Sequence, residues 1–368
     1  MNDICIVQNS IRTTYIFRQE YIARFIADGR RVFVIAPADC IKSEQALKNL
    51  GCEIVSVKKF NKGIGLLWSV LAFNWTITKF RFRRKNTTYL CFFLTTFIFS
   101  LPTLALFNKR LLLSVEGLGS FFTKRKFAKT ILRTLIKRFT EARVFCNTDE
   151  REQIGQPSDI VTNGIGISLE RFQSQQTVPH NGLTLVYVGR LIEDKGIKDS
   201  FAVLERCLSQ GLNVKLKVIG DYYPNNPSSL THNDIECIKK KFGEHIEFLG
   251  FVQNIEELYT DADVLLLPSV REGFPVCVME ASAMGIPTLT YDVPGCQDAV
   301  ENGANGYVLK FKDIDSIVRN IQKLTDSSEL RASLRESSIR YAKENFDVKI
   351  KIDQLITIIE QVELQASS

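Results

Sequence analysis

Short apolar runs recur along this chain, separated by longer stretches whose apolar positions return at helical spacing. Ile4–Val7, Arg31–Ala36 and Glu53–Val57 are rich in β-branched residues, which predicts strands. Between the first two, Ile16–Asp28 has the periodicity of an amphipathic helix, and Gly29 supplies the residue that ends one. Tyr89–Phe93, Arg110–Val115, Arg143–Asn147 and Asp159–Asn163 continue the strand series. The polar, turn-rich stretch Ser174–Gly182 then reads as a linker. After it the rhythm restarts with strands at Thr184–Val188, Val214–Ile219, Ile246–Leu249, Val264–Leu267, Pro287–Tyr291 and Gly306–Leu309. Helical patterns lie between them at Gly196–Ser209, Asn233–Phe242 and Ile255–Asp261, and three more close the chain at Asp313–Leu324, Glu329–Glu344 and Val348–Leu364. Apolar strands alternating with helices imply parallel sheets covered on both faces. The expectation is an α/β protein with two doubly wound, Rossmann-like domains, at 1–165 and 166–345, and a final helix, 346–368, packing back on the first. Two such domains in tandem are expected to set the carboxyl ends of their strands on the walls of a shared cleft.

Composition narrows the choice. The 368 residues are 45% hydrophobic and 24% charged, which fits an ordinary folded protein and excludes collagen, coiled coil and disorder. The nine cysteines are scattered with no Cys-x-x-Cys pair, so the expected compartment is reducing. The three histidines, His180, His232 and His245, form no metal-binding pattern. Tyr89–Phe107 is nineteen residues without a charge, close to a membrane span, but Pro102 divides it into a strand and a short helix. The amino terminus opens on a strand, so no signal peptide is expected.

Charge changes the picture more. Residues 1–170 carry 26 Lys and Arg against 13 Asp and Glu, a net +13 within a chain of net +6. The first half is thereby suited to an anionic partner. Cations alternate with phenylalanines in Lys79–Lys85, and in Thr123–Phe139 an apolar stripe is flanked by Lys and Arg, the pattern of a helix on an anionic membrane surface. Nucleic acid is not expected as the partner, since no nucleic-acid fold signature accompanies the charge.

Two loops carry the candidate chemistry, and each follows a predicted strand. In the first, Gly189-Arg190 precedes Lys195-Gly196, so a guanidinium fork and an ammonium point charge could meet a diphosphate. In the second, Glu272-Gly273-Phe274-Pro275 leads into a helix carrying Glu280, whose first N–H groups make an anion site. Solvated cations and a capping glutamate are the plain alternatives. The flanking glycines and small residues favour a ligand, because they permit close backbone approach.

Taken together, Gly189-Arg190, Lys195-Gly196, Glu272-Gly-Phe-Pro and Glu280 resemble the GT-B-fold retaining glycosyltransferases of family 4, and Asn163-Gly164-Ile-Gly resembles that family's domain-junction turn. Phe17-Arg18 and the run from Val115-Glu116-Gly117 to Phe121 resemble a narrower subgroup, which adds N-acetylgalactosamine or related sugars to undecaprenyl-diphosphate-linked acceptors. The resemblance implies a UDP-sugar donor with no separate cofactor or metal, and attack of the acceptor from the face the diphosphate leaves. Its acceptor would be a lipid-linked saccharide at the inner face of the bacterial cytoplasmic membrane, in O-antigen, capsule or glycan assembly. Arg190, Lys195 and the amides after Gly273 would stabilise the departing diphosphate. Glu272 would hold sugar hydroxyls, Glu280 the ribose, and Phe251 and Val252 would wall the base. Two departures stand out: no histidine precedes His180, and Gln8-Asn9-Ser10 replaces the family's first-loop glycines. Glu116 could supply the missing polar group or pair structurally with a nearby cation. The alternatives are a GT-B-fold nucleotide-sugar 2-epimerase and a catalytically silent subunit that binds a sugar nucleotide.

Overall fold

The computed structural model describes residues 2–60, 63–107, 110–119, 126–174, 182–224, 226–252 and 254–366. Most of the Ser174–Gly182 linker, Ser120, Phe121 and His180 therefore lie outside the described residues. The chain forms two compact units, Met1–Ile165 with Lys349–Ser368, and Gly166–Val348.

The first unit is built on seven parallel strands: β1 (Asp3–Val7), β2 (Val32–Pro37), β3 (Glu53–Val57), β4 (Thr87–Phe92), β5 (Leu111–Val115), β6 (Ala142–Phe145) and β7 (Ile160–Val161). Their order in the sheet is β3-β2-β1-β4-β5-β6-β7. The order reverses between β1 and β4, and such a switch point leaves a crevice at the strands' carboxyl ends. Helix α1 (Ile11–Ala27) starts five residues earlier than its apolar periodicity suggests. The Ser10 hydroxyl accepts from the Thr13 N–H, so a polar cap rather than the first apolar residue sets the start. Helices α2 (Ile41–Asn49) and α3 (Ile64–Arg83) join β2 to β3 and β3 to β4. The charge-free run divides at Phe93 into β4 and helix α4 (Leu94–Phe107), and no helix among the described residues is long and apolar enough to cross a membrane. Helix α5 (Lys126–Phe139) turns Leu132, Ile136 and Phe139 towards the core and leaves Phe127, Ile131, Arg133, Lys137 and Arg138 exposed, so half of the apolar stripe expected at a membrane is packed on the sheet. Helices α3, α4 and α5 share one core on a single face of the sheet, with Phe73, Ile77, Phe97 and Ile136 fully or almost fully buried. Removing one such phenylalanine costs about 3–5 kcal/mol through the cavity it leaves.

After helix α6 (Thr148–Ile154) and β7 the chain enters the second unit, whose six parallel strands are β8 (Leu183–Val188), β9 (Val214–Ile219), β10 (Ile246–Gly250), β11 (Val264–Leu267), β12 (Thr288–Tyr291) and β13 (Gly306–Leu309). The order β10-β9-β8-β11-β12-β13 repeats the first unit's arrangement, with its switch point between β8 and β11. Helices α7 (Ile197–Ser209), α8 (His232–Phe242), α9 (Ile255–Leu258), α10 (Val276–Ala283) and α11 (Cys296–Ala299) connect these strands, and α12 (Ile314–Asp326) and α13 (Ser328–Asn345) follow. Backbone bonds from Ile167 N–H to the Phe346 carbonyl and from Val348 N–H to the Ile167 carbonyl tie the unit's two ends together.

The last helix, α14 (Val348–Gln365), belongs to the first unit through most of its length. It buries Ile352, Leu355, Ile359 and Val362. Glu363 pairs with the buried Arg30 at 2.6 Å and accepts from the Thr88 hydroxyl at 2.8 Å. Lys351 is buried and donates to the Thr162 carbonyl at 2.6 Å, and burial lowers its pKa to about 8.

Candidate active site

The two loops singled out by sequence leave the neighbouring strands β8 and β11, the pair that flanks the second unit's switch point. They touch because of one glycine. Gly196 has φ +75° and lies so close to Pro268 that a Cβ there would stand 2.0 Å from the Pro268 carbonyl oxygen. The Val270 N–H donates to the Asp194 carbonyl at 2.9 Å and completes the join. Lys195 is thereby brought to Glu272, and its ammonium forms an ion pair with the carboxylate. The Ser269 hydroxyl donates to the other oxygen of Glu272 at 2.8 Å. On the far side, the Glu272 N–H donates to the Pro294 carbonyl at 3.1 Å, and the positive-φ Gly295 allows that approach.

Helix α10 begins at Val276, with Pro275 one residue outside it in extended conformation as its cap. Phe274 and Pro275 thus still belong to the loop, as the sequence pattern implies. The first turn of α10 carries no acidic residue, and its leading N–H groups have no intrahelical acceptor. The positive end of that helix therefore stands next to the Lys195–Glu272 pair, a local field suited to an anion. Cys277 lies within this field, and burial together with Glu272 and Glu280 raises its thiol pKa well above the ordinary value.

Arg190 does not join the pair. Its backbone is held by the Tyr187 hydroxyl, which donates to the Arg190 carbonyl at 2.8 Å, and its exposed guanidinium lies 5.1 Å from the Tyr223 ring centre. Glu280, one turn into α10, accepts from the Tyr259 hydroxyl at 3.3 Å, and desolvation raises its pKa to about 7.

Residues 169–341 match the family described as "Glycosyl transferases group 1". This stretch, just under half of the chain, is similar to a glycosyl transferases group 1 domain. The matched stretch covers nearly the whole second unit and includes every site residue described so far. The chain is similar to the capsular polysaccharide biosynthesis glycosyltransferase CapM of Staphylococcus aureus, at 28% identity over 52% of this chain and 51% of that protein. It is also similar to the N,N'-diacetylbacillosaminyl-diphospho-undecaprenol alpha-1,3-N-acetylgalactosaminyltransferase of Campylobacter jejuni, at 26% identity over 67% of this chain and 69% of that one. The matched region thus spans between about half and two thirds of these relatives' length. Among solved structures, sucrose-phosphate synthase from Thermosynechococcus elongatus superposes with a TM-score of 0.82 at 15% identity over 100% of both chains. Anabaena HepE in complex with UDP gives 0.78 at 16% identity over 98% of this chain and 100% of that one. These likenesses establish the GT-B fold class. The 2-epimerase alternative finds no support in them.

Within the matched stretch, Gly189 and Gly220 bring the loops after β8 and β9 together, since a Cβ on Gly220 would stand 1.9 Å from the Gly189 carbonyl oxygen. The Gly220 N–H in turn donates to the Gly250 carbonyl at 2.8 Å, which sets the exposed Phe251 and half-buried Val252 beyond the next strand. Ser269 and Tyr259 escaped the sequence reading. Ser269 carried a signal, three residues before Glu272 in the same loop; Tyr259 carried none.

Glu116 belongs to the first unit, where it follows β5. It pairs with the fully buried Arg18 of α1 and accepts from the Ser114 hydroxyl at 3.0 Å. The Arg18 guanidinium also lies 4.0 Å from the Phe92 ring centre. The turn behind Glu116 is held by a second buried carboxylate, Glu150, which accepts from the Gly117 and Leu118 N–H groups at 3.3 and 3.0 Å. The structure thus gives Glu116 an internal partner, and this network of Arg18, Glu116 and Glu150 fixes the loop at the carboxyl end of β5.

Proposed function

We propose that this chain is a retaining glycosyltransferase that moves a sugar, N-acetylgalactosamine or another hexose or N-acetylhexosamine, from a UDP-sugar to an undecaprenyl-diphosphate-linked saccharide. The observation that carries the reading is the pairing of Lys195 with Glu272 beside the start of α10, at the switch point of the stretch that matches the group 1 family. Support for the acceptor comes from the Campylobacter relative, whose name specifies a diphospho-undecaprenol acceptor, and support for the donor from HepE, whose structure holds UDP. The capsule relative supports a place in surface polysaccharide assembly.

In this reading the donor diphosphate lies against the first turn of α10, with Lys195 on one side and Arg190 swinging from Tyr223 to the other. The bond between the anomeric carbon and the diphosphate oxygen breaks, and the two cations and the helix amides take up the charge that develops. These groups serve in place of a metal. The acceptor oxygen forms its bond to the same carbon on the same face, and its proton passes to the departing phosphate oxygen. Glu272, fixed by Lys195 and Ser269, orients sugar hydroxyls; ionised Glu280 accepts the ribose hydroxyls; Phe251 and Val252 wall the uracil. Glu116 orients the acceptor indirectly, as the anchor of its loop. The cationic first unit carries the acceptor's diphosphate, with the protein peripheral on the inner face of the cytoplasmic membrane.

The test is to incubate the purified chain with UDP-sugars and undecaprenyl-diphosphate monosaccharides and to look for a disaccharide by mass spectrometry. Glu272→Gln should keep the Ser269 hydrogen bond and lose about 10²–10³ of the rate. Undiminished transfer by that variant would instead favour the silent-subunit reading.

A further inference from the structure

The outer surface of the first unit's α3–α4–α5 layer has an unusual composition. Between Ile54 and Thr140 the chain has seventeen Lys and Arg and one carboxylate, Glu116, which is already paired with buried Arg18. Helix α3 itself has no acidic residue. Its inner face packs Phe73, Ile77 and Phe80 on the sheet. Its outer face presents Leu67, Trp68, Leu71, Trp75 and Phe82, with Trp68 69% exposed, Trp75 61% and Phe82 71%. Steps of three, four and seven residues from Trp68 to Leu71, Trp75 and Phe82 keep these side chains on one stripe. Both of the chain's tryptophans lie on it. At about 1.5 Å per residue, the stripe from Trp68 to Phe82 runs roughly 21 Å along the twenty-residue helix.

The stripe ends at a cationic cavity. Arg83, Arg84 and Lys85 line a recess of about 470 Å³ with Asp3, Arg31 and Phe82, and Asp3 is held there by Arg31 through two bonds of 3.0 Å. Lys79 lies 5.0 Å from the Trp75 ring centre, so another cation stands at the stripe's edge. On α5 in the same layer, Phe127 and Ile131 are exposed among Lys and Arg.

We infer that α3 lies flat in the surface of an anionic bilayer, with Trp68, Leu71, Trp75 and Phe82 in the headgroup–acyl boundary and a lipid phosphate in the Arg83–Lys85 recess. This deepens the membrane reading above and rests on it for the occupant. Amphipathic indoles beside aliphatic side chains and outlying cations match such an interface. A polyanion without an apolar layer would leave Leu67, Leu71 and Phe82 in water. A second copy would set the same cation-rich surface against itself, with Asp3 already held by Arg31. Helix α3 runs from the carboxyl end of β3 to the amino end of β4, so a flat α3 keeps the first unit's strands along the membrane plane, with the Glu116 loop near the lipid rather than held away from it.

The test uses the full chain and vesicles of phosphatidylcholine with and without phosphatidylglycerol. Binding to the anionic vesicles alone, with tryptophan emission moving to shorter wavelength, is expected. Arg83→Gln with Lys85→Gln should weaken that affinity about 25-fold, roughly fivefold per cation. Trp68→Ser with Trp75→Ser should abolish vesicle sedimentation while leaving transfer to a water-soluble, short-chain acceptor unchanged. Vesicle binding without an emission change, or unaffected by the tryptophan pair, overturns the inference. So does an emission shift produced by inorganic phosphate, by an oligonucleotide or by self-association without vesicles. Absence of transfer with every sugar pair would defeat the proposed activity and leave the vesicle result standing.

Discussion

Replacing Glu280 by Gln tests the electrostatics of the second unit and the ribose contact together. The Glu280 pKa is raised to about 7 by burial, against 4.5 for the ordinary side chain. Across that interval the folded chain holds a proton that the unfolded chain has released. With more protons on the folded state, stability falls as pH rises from about 4.5 to about 7, and the loss is complete above that range. At about 1.4 kcal/mol per pH unit the ceiling is about 3 kcal/mol, and residual solvent contact lowers it. Glutamine mimics the protonated acid and can still accept from the Tyr259 hydroxyl. Glu280→Gln should therefore match the parent near about pH 4 and exceed it by up to about 3 kcal/mol near about pH 8. Urea unfolding followed by circular dichroism measures this, because both tryptophans report on the first unit. Nucleotide binding should move the opposite way. Ribose hydroxyls donate to the ionised carboxylate, so UDP should bind the parent about tenfold more weakly at about pH 6 than at about pH 8, with a proton released on binding. The variant should bind weakly at both. Parallel stability profiles for parent and variant would refute the electrostatic argument, and parental UDP affinity in the variant would refute the ribose assignment.

Lys351 gives the mirror-image case: its pKa is lowered from 10.5 to about 8 by burial, so the folded chain loses that proton first and stability should rise from about pH 8 to about pH 10, by up to about 3 kcal/mol. Lys351→Met should flatten this rise in denaturant titrations. Gly196→Ala forces a Cβ against the Pro268 carbonyl at a positive φ, and should cost at least about 3 kcal/mol and separate Lys195 from Glu272, read as a lower melting temperature with loss of UDP binding. Arg18→Met should cost about 3–5 kcal/mol by stranding the Glu116 charge, whereas Arg18→Met with Glu116→Leu should recover most of that stability in urea unfolding. If the double variant regains stability but not transfer, the fixed loop matters to acceptor positioning; if it regains both, the pair serves the fold alone.

The sequence by itself determined which segments are strands and that they run parallel. Most strands are apolar runs a few residues long, Val214–Ile219 alternating with Lys215 and Lys217 instead, and alternation with helices forces crossover connections. Val214–Ile219 and Val264–Leu267 are strands over the very residues read from the pattern, and the loops bearing Lys195 and Glu272 follow strands as expected. Helix α3 was not legible as a helix, because apolar residues occupy nearly its whole circumference and leave no polar face to give a period. Nor could composition say that Trp68 and Trp75 face solvent. Tertiary structure alone decided the ion pairs. Lys195 and Glu272 are 77 residues apart, and Arg18 and Glu116 are 98 apart. Each pair meets because the strands that deliver its loops or helices lie side by side or close in the sheet. Local periodicity records how a segment folds; strand order, fixed by packing of the whole sheet, sets which charges share a low-dielectric site and so which pKa values move.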